Sequence, residues 1–147
     1  MDKIFQSVAF VKQTDGTKSQ MLLSWRENLQ RLEFIVADRL NNESYRESVT
    51  REVAWQLNLN RKSDFLVSSM AQLTMEYFEP QPDATQLHVG VAFYAVHIYR
   101  QPILELLTRK PSNRWASAAE ICQGKTNDGL EIHPRVVNWV NKWSVVQ

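Results

Sequence analysis

The apolar positions of this chain fall into two periods, and the change from one to the other sits near its centre. The run Phe34-Ile35-Val36-Ala37 is continuous and fits a strand covered on both faces. A polar stretch follows, in which Asn41 and Asn42 read as turn and cap residues ahead of a helix. Within that helix Tyr45, Val49, Val53 and Leu57 recur every four residues and form one apolar stripe. Glu43, Glu47 and Arg51 keep the same spacing on a second side, where Glu47 and Arg51 can pair across one turn. Glu52, Trp55 and Gln56 lie three and four apart and share a third side.

Upstream, Phe5 to Lys12 alternates imperfectly as a strand, Asp15-Gly16 signals a hairpin, and Met21 to Trp25 is the returning strand. The polar stretch Arg26 to Arg31 reads as a loop. Downstream, Asn58 to Asp64 is a polar connection, and Phe65 to Phe78 alternates as one strand with a polar and an apolar face. The prolines of Glu79-Pro80-Gln81-Pro82-Asp83 predict a turn. Leu87 to Tyr99 is apolar on both sides, the pattern of a central strand. Pro102 to Thr108 predicts a single helical turn. Ser117 with Glu120 is a capping-box pattern before a short helix. Gly124 to Gly129 reads as a loop. Pro134 suits the first position of a last helix, with Val136, Val137, Trp139, Val140 and Trp143 as its apolar stripe. The expected class is α/β: a mixed sheet with helices on both sides, built as a single domain over 1–147.

Composition narrows the function classes. A chain of 147 residues with 44% hydrophobic and 22% charged content can bury a sizeable core. A formal net charge of +1 gives no field to draw it to nucleic acid or an anionic membrane, so neither partner is expected. One cysteine, Cys122, excludes an internal disulfide framework. The opening residues lack the apolar region of a secretory signal, and no apolar run is long enough to span a bilayer, so a cytoplasmic location is expected.

The segment around the central helix resembles the signature of the Nudix hydrolases: a glycine, five residues, Glu, seven residues, then Arg-Glu-apolar-any-Glu-Glu-any-Gly-apolar. Glu43, seven residues, then Arg51-Glu52-Val53 fits without a gap, and Leu59 fits the final apolar position. The order of elements, an opening hairpin before the signature and a tryptophan-containing strand before a short helix, resembles that family too. The resemblance implies a Nudix-like α/β/α sandwich with a mixed sheet, with Glu43 and Arg51 holding loop to helix. The departures fall on the chemistry. Ala37 stands at the glycine, Trp55 and Gln56 at the paired glutamates, and Asn58 at the last glycine.

A hydrolase of phosphate anhydrides uses a divalent cation to screen phosphate charge and position water. Magnesium takes hard oxygen ligands, mostly carboxylates and water. Of positions 52, 55 and 56 only Glu52 is a carboxylate; Gln56 offers a neutral oxygen and Trp55 none. Loss of such ligands costs roughly a thousandfold or more in rate. The leading expectation is therefore a non-catalytic domain that binds a nucleotide-type ligand or a protein partner, a homodimer included. Its site would lie by Glu52, Trp55 and Gln56, with no cofactor required. The alternative is a divergent Mg2+- or Mn2+-dependent hydrolase of nucleoside diphosphate-linked substrates. It would centre on Glu52 and recruit Glu47, Glu76 or Glu79 as replacement carboxylates.

Other residues carry weaker signals. His88, His97 and His133 are not spaced as metal ligands, and His97 reads as a core or edge residue. Cys122 reads as a structural thiol. Trp25, Trp55 and Tyr77 could stack a base or fill the space of a lost metal site. Trp139 and Trp143, four apart, read as core-facing.

Overall fold

The computed structural model describes residues 3–15, 18–40 and 42–143. In chain order its elements are β1 (Lys3–Asp15), β2 (Lys18–Arg26), β3 (Arg31–Glu33), β4 (Ile35–Asp38), α1 (Tyr45–Leu57), β5 (Phe65–Val67) and β6 (Leu73–Pro80). There follow β7 (Gln86–Ile98), α2 (Gln101–Arg109), β8 (Asn113–Ser117), α3 (Ala118–Gln123) and α4 (Pro134–Trp143).

The two long strands form the centre. β7 lies parallel to β1, from Lys3↔His88 to Val11↔Val96. On the other edge of β1, β4 pairs antiparallel from Gln6↔Asp38 to Ala9↔Ile35. β6 and β5 follow one another along the far edge of β7, both antiparallel. The end of β1 passes to β2, which carries β3 and β8. Because β7 is apolar on both faces, it supplies two cores. Val89, Val91 and Phe93 enter one with Ile121 of α3 and Val136, Trp139 and Val140 of α4. Ala92, Tyr94 and Val96 enter the other with Val49, Val53 and Leu57 of α1 and Ile103 and Leu107 of α2. Each fully buried Val, Leu, Ile or Phe side chain among them contributes about 1.5–3 kcal/mol. Trp139 stacks on Phe34 at 6.4 Å between ring centroids and meets Phe93 edge-on at 5.3 Å. The result is the expected α/β/α sandwich with a mixed sheet.

α1 is seated by small side chains. Ser7 of β1 and Ser48 of α1 are fully buried with their hydroxyls 2.8 Å apart, and Ser7 also donates to the Tyr45 carbonyl at 2.8 Å. With Ala37 beside Ser7 in β4, the helix comes close to the sheet while both serine hydroxyls at the contact keep a partner.

Several boundaries differ from the sequence expectation. The cap of α1 is Ser44: its hydroxyl accepts from Glu47 N, and Glu47 reaches back to Ser44 N at 3.0 Å. Asn42 is instead an exposed turn residue with φ 68°, and Asn41 lies outside the described residues. Residues 65–78 form two strands. Val67 faces Val96 and Leu73 faces Phe93, so six steps on one side meet three on the other and the excess loops out. Pro80 ends β6 opposite Gln86; on this edge strand its missing N–H breaks no ladder. The single turn expected near Pro102 is the nine-residue α2. Gly16 and Thr17 of the expected hairpin turn lie outside the described residues, beyond the last pair Asp15↔Lys18, as does the side chain of Trp143. The capping box at Ser117 and the start of α4 at Pro134 fall where the sequence placed them.

Candidate functional site

Two sides of α1 carry the signature residues, and they differ in kind. On the first, a continuous hydrogen-bonded chain runs from the sheet to the loop before the helix. Arg26, at the end of β2, donates through Nη2 to Gln56 Oε1. Gln56 Nε2 donates to Glu52 Oε1 at 2.8 Å, and Arg51 Nη1 donates to Glu52 Oε2 at 2.8 Å. Arg51 also grips Glu43 with Nε at 2.9 Å and Nη2 at 3.1 Å, and it donates to the Asp38 carbonyl at 3.0 Å. Glu43 in turn accepts from Leu40 N at 3.1 Å. Arg51 thus pins the 38–43 loop to the helix, and its hydrogen bonds hold the Glu43 carboxyl below its usual pKa. The expected Glu47–Arg51 pair does not form, because Glu47 caps the helix and Arg51 turns to Glu43 and Glu52.

Behind Arg26 lies a buried ion pair that sequence reasoning missed. Glu33, 1% exposed, accepts from Arg135 Nε at 2.9 and 3.0 Å. The segment before α4 is fastened to β3 by Leu32 N donating to Glu131 O at 2.8 Å and His133 N to Leu32 O at 2.9 Å. That fastening brings residue 135 to residue 33. Burial pushes the Glu33 carboxyl up, against the pull of Arg135 and Arg26. Burial likewise lowers Arg26, while Glu33 and Glu52 act to keep it charged. Arg135 lies over the Trp139 ring at 5.5 Å. His133 accepts from Arg135 N at 3.1 Å and is held neutral, its pKa lowered to about 4 by burial and then by Arg135 and Arg31. A charge in the middle of the buried run Leu32-Glu33-Phe34 is the one signal in the sequence that could have exposed this pair.

The second side holds Trp55. It does not join Glu52 and Gln56 in one pocket, as the spacing had suggested. It is 76% exposed and lines a hollow of about 510 Å³ with Glu43, Glu47, Arg51, Asn58 and Arg61. It therefore does not fill the space of a lost metal site. Asn58, at the signature's last glycine, takes φ 54° and ψ 51° as the C-cap, a conformation that Asn tolerates best after Gly. Ala37, at the other glycine, is an ordinary buried strand residue.

The remaining candidates are dispersed. Glu76 pairs with Lys3, and His88 stacks on Phe78 at 4.7 Å and lies 3.8 Å from Glu76. Glu79 contributes only a longer-range charge to Glu33, Tyr77 and Arg135. His97 is exposed against Tyr99, not in the core. Trp25 donates to Glu27 at 2.9 Å. Tyr77 is half-buried, its pKa pushed up by burial. Cys122 is exposed, with its sulfur 2.8 Å from Asn141 Oδ1. Among the described residues no three His, Cys, Asp or Glu side chains converge as metal ligands, and no helix is long and apolar enough to cross a membrane.

Magnesium does not fit the donor set beside α1. Glu52 is the single carboxylate among positions 52, 55 and 56, and both of its oxygens already accept hydrogen bonds. A metal there would displace Gln56 and Arg51 and would sit next to the Arg26 guanidinium, a like charge.

No protein-family model matches the sequence, and no curated protein does. Solved structures do match. The Ap4A hydrolase of C. elegans superposes with a TM-score of 0.62 at 9% identity, over 97% of each chain. A mutT/nudix family protein from Listeria innocua gives 0.62 at 11% identity, over 95% of this chain and 90% of that one. The NUDIX domain of Shewanella oneidensis NrtR, solved in complex with ADP ribose, gives 0.56 at 11% identity over 99% and 90%. The chain has the Nudix fold.

Proposed function

We propose that this protein is a non-hydrolytic Nudix-fold domain that binds a nucleotide-type ligand. The observation that carries this reading is the closed chain Arg26–Gln56–Glu52–Arg51–Glu43. It commits Glu52, the one carboxylate among positions 52, 55 and 56, to hydrogen bonds within the chain and sets the fixed Arg26 guanidinium beside them, whereas a phosphate hydrolase needs an exchangeable cation. Replacing a metal by an internal guanidinium leaves a fold that can still hold a phosphorylated ligand but lacks the means to activate water. The complex of a Nudix domain with ADP ribose supports a ligand of that type. The single thiol suits a cytoplasmic setting, and no cofactor is called for.

The test is turnover of a panel of nucleoside diphosphate-linked compounds with Mg2+ and with Mn2+, beside Glu52→Gln protein prepared identically. The expected outcome is no release of phosphate or nucleotide above the buffer rate by either protein. Turnover that the substitution abolishes would contradict the reading and make the protein a divergent pyrophosphohydrolase.

A further inference from the structure

We propose that the ligand site lies on the outward side of α1, in a groove bounded by Trp55, Arg61 and Lys62, away from Glu52 and Gln56, and that it takes a nucleoside phosphate without metal. The proposal rests on the reading of a binding domain given above. Two hollows of about 510 and 300 Å³ adjoin here, sharing Arg61 and Glu47 as walls. Together they fall in the range of small-ligand sites.

The chemistry of the walls is divided. Trp55 presents a bare aromatic face, and no hydrogen bond to its indole occurs among the described residues. Arg61 and Lys62 are exposed, and their side chains make no ion pair or hydrogen bond among the described residues. The other charged walls are already engaged. Glu43 is neutralised by Arg51, Glu47 holds the Ser44 backbone, and Arg46 donates to the Val67 and Ser68 carbonyls at 2.9 and 3.1 Å. What the groove leaves available is thus one aromatic plane and two cations. A planar ring stacks on the first, and phosphate oxygens pair with the guanidinium and ammonium of the second. Nothing in the pairing calls for a divalent ion, because Arg61 and Lys62 supply the positive charge.

The test is calorimetric titration of the intact protein with ADP, GDP, CDP and UDP in EDTA, repeated on Trp55→Ala and Arg61→Ala. Both side chains are exposed, and thermal unfolding would verify that each variant keeps its fold. The expected result is saturable binding of at least one nucleotide, weakened roughly ten- to a hundredfold by Trp55→Ala, the range of base–aromatic stacking. Arg61→Ala should weaken the diphosphate more than the corresponding nucleoside. Saturable binding that both variants leave unchanged would overturn the groove while the binding-domain reading stands. Absence of binding by all four nucleotides would overturn the groove and count against the nucleotide-binding reading as well. Hydrolysis of the titrant with added metal, abolished by Glu52→Gln, would instead defeat the functional reading and not the groove.

Discussion

Adjacent residues of one helix face two different situations in this protein. Glu52 and Gln56 belong to a chain in which every charged or polar group has a partner, continuing through Arg26 toward the buried Glu33–Arg135 pair. Trp55, between them in sequence, stands in solvent and shares its hollow with Arg61, which like Lys62 in the adjoining one has no side-chain partner among the described residues. The comparison separates structure from availability. A polar group whose hydrogen bonds are all made within the chain contributes to the fold, and an incoming ligand must break those bonds to use it. An exposed aromatic and unpaired cations contribute little to folding and remain free to bind. Family position does not distinguish the two, since Trp55 and Gln56 both stand at signature glutamates.

The largest effect should come from the closed side. Arg135→Met leaves Glu33 buried without its partner and is expected to lower stability by about 3–5 kcal/mol, read as a shift of the denaturant midpoint. Trp55→Ala on the open side should stay within about 0.5 kcal/mol. Equal losses for the two variants would break the comparison.

Acid offers a smaller and sharper probe. His133 is held neutral, with its pKa lowered to about 4. Between that value and the ordinary one near 6.5 the unfolded chain binds the extra proton, so the stabilisation is complete above pH about 6.5 and is lost as pH falls toward 4. The half-exposed setting limits the effect to about 1 kcal/mol after solvent screening. His133→Gln should flatten the fall in midpoint between pH 7 and pH 5, and an unchanged slope would show that another group sets it.

The elements legible in the sequence were those whose pattern had one reading. β7 is apolar on both faces from Val91 to Val96, and α1 repeats Tyr45, Val49, Val53 and Leu57, so neither fits another element. Residues 65–78 read as one strand because the alternation of Ala71 to Tyr77 adjoins the apolar run Phe65 to Val67, yet Ser68 to Gln72 bulge out and exchange the faces: Phe65 and Val67 enter the core under α1, Met75 the opposite one. α2 extends beyond one turn because Pro102 sits in the first helical turn, where proline is tolerated, and Ile103 and Leu107 anchor it four residues apart. At the site, Glu43, Arg51 and Glu52 were singled out by a motif. Arg26 was read as loop, and Arg135 lies 102 residues from its partner Glu33. Pairing across that distance is a property of the β3–Ile132 contact, which no local pattern encodes.

In the proposed binding domain the Glu52 side of α1 is closed to a divalent cation. Titration of the protein with Mn2+, followed by the paramagnetic signal of the free ion, tests it most directly when repeated on Glu52→Gln. The account predicts the same weak, non-saturating uptake for both proteins up to millimolar metal. One equivalent of Mn2+ bound by the unmodified chain and lost in Glu52→Gln would contradict it.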